Sequence, residues 1–98
     1  MDARQSLHSG EHYPFDASDE WLELYSGSRL PPEAKDYAHR AARGIVADLQ
    51  DRRGVKNGFS RIDEDMRIDI VESIAAIIRE AVNEEVLNRE AINLRFKP

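Results

Sequence analysis

The sequence of 98 residues predicts an all-α fold: a helical hairpin with a short N-terminal helix packed across it and a C-terminal helical extension. Three observations predict it. Apolar side chains recur every three to four positions over Glu33–Gly54 and again over Asp63–Val82, the period of a helix with one buried face. Capping and acidic residues gather at Asp16–Glu20 and Ser60–Asp65, where helix starts need acceptors and negative charge. The apolar–polar alternation of a strand is confined to Ala91–Phe96.

Taken in order, residues 1–15 are polar and carry the breakers Ser9-Gly10 and Tyr13-Pro14, so they read as a flexible N-terminal arm. Asp16 or Ser18 then caps a short helix over Asp19–Tyr25, which Ser26-Gly27-Ser28 ends. Two turns of helix are unstable alone in water. Trp21, Leu22, Leu24 and Tyr25 are therefore expected to dock on the hairpin.

Leu30-Pro31-Pro32-Glu33 opens the second helix, since a first turn has no use for the N–H that proline lacks. Ala34, Tyr37, Ala38, Ala41, Ala42, Ile45, Val46 and Leu49 share one side, with Asp36, Arg40, Arg43 and Asp51 opposite. Asp36 and Arg40 have the spacing of a surface ion pair. Gly44 lies beside the alanine-rich row, where small side chains let another helix come close. His39 falls at the edge of the buried face. Arg52 and Arg53 suit the negative end of the helix, and Gly54 suits the left-handed position just past it.

The third helix starts near Ser60-Arg61-Ile62-Asp63, with Ser60 or Asp63 as its cap. Met66, Ile70, Ile74, Ile77 and Ala81 form one apolar stripe, and Val71, Ala75, Ile78 and Val82 form a second beside it. So wide an arc exceeds what one small partner helix covers, and a homodimer is expected. Beyond Asn83 the phase drifts: either a new short helix begins near Glu84 or the last helix is long and bends, and the alternation over Ala91–Phe96 also suits a short strand or extended arm; the favoured reading is helix to about Asn93.

One domain spans residues 1–98. Without cysteine there is no disulfide, thiolate or Cys-ligated zinc. No run of about 18 apolar residues is present, so no membrane partner is expected. The N-terminus lacks the apolar core of a signal peptide, and a cytoplasmic location is the default. The net charge of −5 disfavours a nucleic-acid partner. Yet residues 39–61 carry six basic and two acidic side chains, which keeps a local basic contact in play.

Candidate chemistry is sparse. His8-Ser9-Gly10-Glu11-His12 matches the H-x-x-E-H string of inverted zinc peptidases, but that chemistry needs a stable helix and a third ligand. It reads as a solvated tail. Asp63, Glu64, Asp65, Asp69 and Glu72 fail the calcium-loop pattern, because Ile68 and Ile74 stand where glycine and glutamate are required. Arg52, Arg53, Lys56 and Arg61 surround a glycine-containing loop and could meet phosphate or an acidic protein. These basic and acidic residues together are the candidate partner-binding set, joined by aromatics near Tyr13, Phe15 and Phe59. No catalytic, cofactor or metal constellation is recognised, and the chain is not expected to be an enzyme.

The string Arg43-Gly44-Ile45-Val46-Ala47-Asp48-Leu49-Gln50-Asp51-Arg52-Arg53-Gly54-Val55-Lys56, with Ile62-Asp63-Glu64-Asp65 and Ile74-Ala75-Ala76-Ile77-Ile78-Arg79, resembles short uncharacterised bacteriophage and prophage accessory proteins. The resemblance covers about half of the chain. It implies a phage or bacterial origin and an accessory role, such as binding and inhibiting a host protein. The expected function is a non-enzymatic protein–protein interaction module. The alternative is a nucleic-acid-associated protein that uses the loop over residues 52–61.

Overall fold

The computed structural model describes residues 2–25 and 30–96, with the side chains of Tyr25, Lys56 and residues 92–96 outside that description. The described residues are helical throughout their regular parts: α1 (Ala3–His12), a wide π-helical turn (Trp21–Tyr25), α2 (Tyr37–Gln50), α3 (Lys56–Phe59) and α4 (Glu64–Phe96). The all-α expectation is met. A short helix also forms near Asp19–Tyr25, with Ser18 capping it through the Trp21 N–H at 3.1 Å, but its expected docking on the hairpin is corrected: Leu22 and Leu24 stay exposed. The expected terminator of this helix, Ser26-Gly27-Ser28, lies outside the described residues.

The arm expected over residues 1–15 is corrected. Ala3–His12 is a helix held by a capping box: Asp2 accepts from the Gln5 backbone, and the Gln5 side chain accepts from Asp2. It packs along α2 because two glycines remove the side chains that would keep the backbones apart. A Cβ on Gly10 would stand 2.6 Å from the Arg43 carbonyl carbon, and one on Gly44 would stand 3.1 Å from the Leu7 side chain. The close approach expected at Gly44 is thus present, and the helix that exploits it is α1.

The second helix starts later than expected. Asp36 is its N-cap and accepts the His39 N–H at 2.9 Å, while residues 31–35 lie outside the helix. The expected ion pair between the Asp36 and Arg40 side chains is not formed; the two are joined only through the backbone, Arg40 N–H to Asp36 carbonyl at 3.0 Å. The Asp36 side chain pairs with His39 and Arg79, and that of Arg40 pairs with Glu11. Gly54 has φ +83°, the left-handed turn that glycine permits at low cost. The loop then forms the single turn α3. Asp63 caps α4 through the Met66 N–H at 2.9 Å, and α4 continues unbroken through the stretch where the apolar phase drifts.

Apart from Phe15, the core consists of small side chains. Phe15, Ala38, Ala42, Val46, Val71 and Ala75 are buried together, flanked by Phe59, Ile62, Ile70, Ile74 and Ile78. Phe15 meets Phe59 edge to face, with centroids 5.4 Å apart. Two buried arginines draw irregular chain onto this core. Arg43 binds Asp16 at 2.7 Å and the Pro32 carbonyl at 2.8 Å. Arg67 donates to the carbonyls of Phe15 (3.0 Å), Ile62 (3.0 Å) and Ala17 (3.1 Å), and to Asp19 (2.7 Å). The expectation that Arg43 faces solvent is therefore corrected. Its guanidinium serves backbone and carboxylate acceptors that would otherwise be buried without donors.

Candidate interaction surfaces

Of the candidate residues, several hold the fold together. Asp63 is a cap, and Glu64 accepts the Asp19 N–H at 2.6 Å. Glu72 receives Lys35 at 3.0 Å, and Arg52 pairs with Asp48 at 2.9 Å one helical turn away. Asp65, Asp69, Arg53 and Arg61 are exposed. The Lys56 side chain lies outside the described residues. The acidic and basic sets therefore share the surface with structural duties. The expected exposed aromatics are corrected in part: Tyr13 is exposed, but Phe15 is buried and Phe59 is half-buried against it.

His39 sits deeper than the edge position expected of it, at 5% exposure. Nδ1 lies 2.7 Å from Asp36 Oδ1, and Nε2 lies 3.1 Å from Glu72 Oε2. The second contact has ion-pair distance but lacks the alignment of a hydrogen bond, so it matters only when the ring is charged. The bond to Asp36, then the contact with Glu72, raise the imidazole pKa above its ordinary value, against the opposing effect of burial. Hydrogen bonds from His39 and then Arg79 hold Asp36 far below the carboxylate range, and Lys35 followed by His39 lowers Glu72.

On the other side of α2, a groove of about 490 Å³ runs between α1 and α2. Leu7, Ala41, Ile45 and Leu49 give it apolar walls, Gly44 gives it a floor, and Asp48 stands at its edge. Its signal was present in the sequence as Ala3, Leu7 and Gly10 at helical spacing behind the Asp2–Gln5 capping pair. It was hidden by the polar residues around them.

His8 and His12 do share a helix, with ring centroids 4.4 Å apart. Glu11, between them in the string, is turned to Arg40, whose hydrogen bond lowers its pKa. Among the described residues, no group of three or more histidine, aspartate or glutamate side chains is arranged to hold a metal ion. No described helix is long and apolar enough to cross a membrane. Compared with known proteins, the chain matches no protein-family model, no curated protein and no solved structure.

Proposed function

We propose that this chain is a non-enzymatic protein–protein interaction module whose α1–α2 groove receives one face of a partner's amphipathic helix. The resemblance to phage accessory proteins makes a host protein the favoured partner, with inhibition or modulation as the outcome. The observation that carries the reading is the groove. Two helices already form two sides of a three-helix arrangement, and Ile45 remains 42% exposed in it. Grooves of this kind take helices through apolar anchors spaced one turn apart. Asp48 at the edge favours a partner helix with a basic residue beside its apolar face.

A second copy is proposed for α4. Ile77, Val86 and Leu87 are exposed on a helix that, from Arg79 to Ala91, is exposed at every position. A helical stretch of that length has little stability of its own in water. Light scattering at high micromolar concentration tests this part, and a monomer there removes it.

Cross-linking from the groove in host lysate, with wild type beside Ile45→Glu, tests the main reading. Ile45 is exposed enough for the substitution to leave the fold intact. A protein cross-linked at Leu7 or Leu49 in wild type and lost with Ile45→Glu supports the reading. Equal capture by both chains overturns it. Retention on a DNA column that is lost on reversing Arg52 and Arg53 to glutamate would establish the nucleic-acid alternative in its place.

A further inference from the structure

We propose that His39 is a proton-operated latch between the start of α2 and the middle of α4: the imidazolium ties Asp36 and Glu72 together, and loss of its proton removes this buried tie and loosens the hold on α4. The geometry assigns the two nitrogens different tasks. Nδ1 faces Asp36, three residues back on the same helix start, at 2.7 Å. Nε2 faces Glu72, which belongs to α4, at 3.1 Å. Only the doubly protonated ring offers an N–H to both.

When the proton leaves to solvent, one N–H remains. It stays on Nδ1, because the Asp36 contact is shorter, is aligned for hydrogen bonding, and is fixed by the backbone bond from the His39 N–H to the same carboxylate. Nε2 is then a lone pair directed at a carboxylate. The contact between His39 and α4 is lost, while the bond within α2 survives. Two other ion pairs join the same parts of the fold, Arg79 of α4 to Asp36 and Lys35 to Glu72, and they persist when His39 is neutral; both are more exposed than the His39 ring, so the proton governs the most buried of three ties. Behind the latch lie Ala38, Ala42, Val71 and Ala75, with small side chains that bury little apolar area for each contact. A latch over such a seam governs how often it opens. The start of α4, where Arg67 holds three backbone carbonyls, has no titrating histidine and stays closed.

The test is imidazole NMR together with amide hydrogen exchange on the full chain from pH 5.5 to 9, with rates corrected for intrinsic exchange. His39 should titrate above the ordinary histidine value of 6.5 and deprotonate to the Nδ1–H tautomer. Amide protection at Ala42 and Ala75 should fall through the same midpoint, by about tenfold for each pH unit by which His39 exceeds an unfolded histidine. Glu72→Gln, at a half-buried position, preserves the fold. It should lower the His39 midpoint and shrink the step in protection at least threefold. His39 titrating at or below the ordinary histidine value, protection at these amides that is flat with pH, or an unchanged step in Glu72→Gln would each overturn the latch.

Discussion

Replacing Arg67 with methionine keeps most of the volume of the side chain and removes all of its donors. The carbonyls of Phe15 and Ala17 lose bonds of 3.0 and 3.1 Å in buried surroundings. Stranding a buried acceptor costs about 1–3 kcal/mol each. The Ile62 carbonyl is partly buried and the Asp19 side chain is 60% exposed, so water repairs most of those two losses. Methionine also relieves the cost of keeping a guanidinium out of water, which brings the net destabilisation to about 3 kcal/mol. A domain of this size has about 5–15 kcal/mol in total. The midpoint of thermal unfolding should therefore fall by about 12–24 °C.

Arg67→Lys tests the reasoning more sharply. It keeps the charge, but one ammonium cannot span acceptors on both Phe15 and Ala17, so most of the loss should remain. Urea unfolding followed by circular dichroism at 222 nm measures both variants. Arg67→Met within about 0.5 kcal/mol of wild type would show that the carbonyls find other partners, and the account of the 13–19 segment would fall.

Other outcomes follow from the same contacts. Gly10→Ala should destabilise the protein by about 1–2 kcal/mol despite the better helix propensity of alanine, because its methyl meets Arg43 backbone that cannot yield; Gly44→Ala, with neighbours at 3.1 Å or more, should cost less in the same urea titration. Asp2→Ala removes the cap of α1 and should raise amide exchange there, at a cost of about 1 kcal/mol. Thermal midpoints should pass through a maximum with pH. Asp36 and Glu72 have lowered pKa values, so their stabilisation is present above the ordinary 3.8 and 4.5 and is lost as pH falls through the folded values. His39 has a raised pKa, so its share is complete below 6.5 and disappears as pH rises through its folded value. A midpoint that climbs steadily from pH 4 to pH 9 would contradict the sign of the His39 shift.

The parts of the fold that were legible in the sequence rest on local chemistry. Asp63 with Glu64 and Asp65 marks a helix start from its own neighbours. Gly54 was legible only as a left-handed turn: α2 already ends at Gln50 with Asp51 as its C-cap, so Arg52, Arg53 and Gly54 lie beyond the helix instead of in and just after its last turn. The long α4 was legible in its first half, where Val71, Ala75 and Ile78 keep one phase. The helix α1 was not, because it is held by closeness rather than by an oily stripe: Gly10 and Gly44 are recognisable as contacts only once both helices are placed. Arg43 and Arg67 were illegible for another reason. Charged side chains default to the surface, and the acceptors that justify burying these two come from Phe15, Ala17 and Pro32, far away in the chain. Pro31-Pro32 suited a helix start, yet the Pro32 carbonyl is held by Arg43 and the helix begins only after the Asp36 cap. Within the candidate set, no local pattern distinguishes Glu72, which is engaged in the fold, from Asp65 and Asp69, which stay in solvent.

The radius of gyration is 16.7 Å, against about 13 Å for a compact chain of this length. The excess comes from α4, whose residues from Glu80 to Phe96 add about 25 Å of helix. A fluorophore or fusion partner attached at the carboxyl end would thus ride on a strut, separated from the groove on α2. Cargo could be added there without crowding that surface, and tumbling in solution should be markedly faster about the long axis than across it.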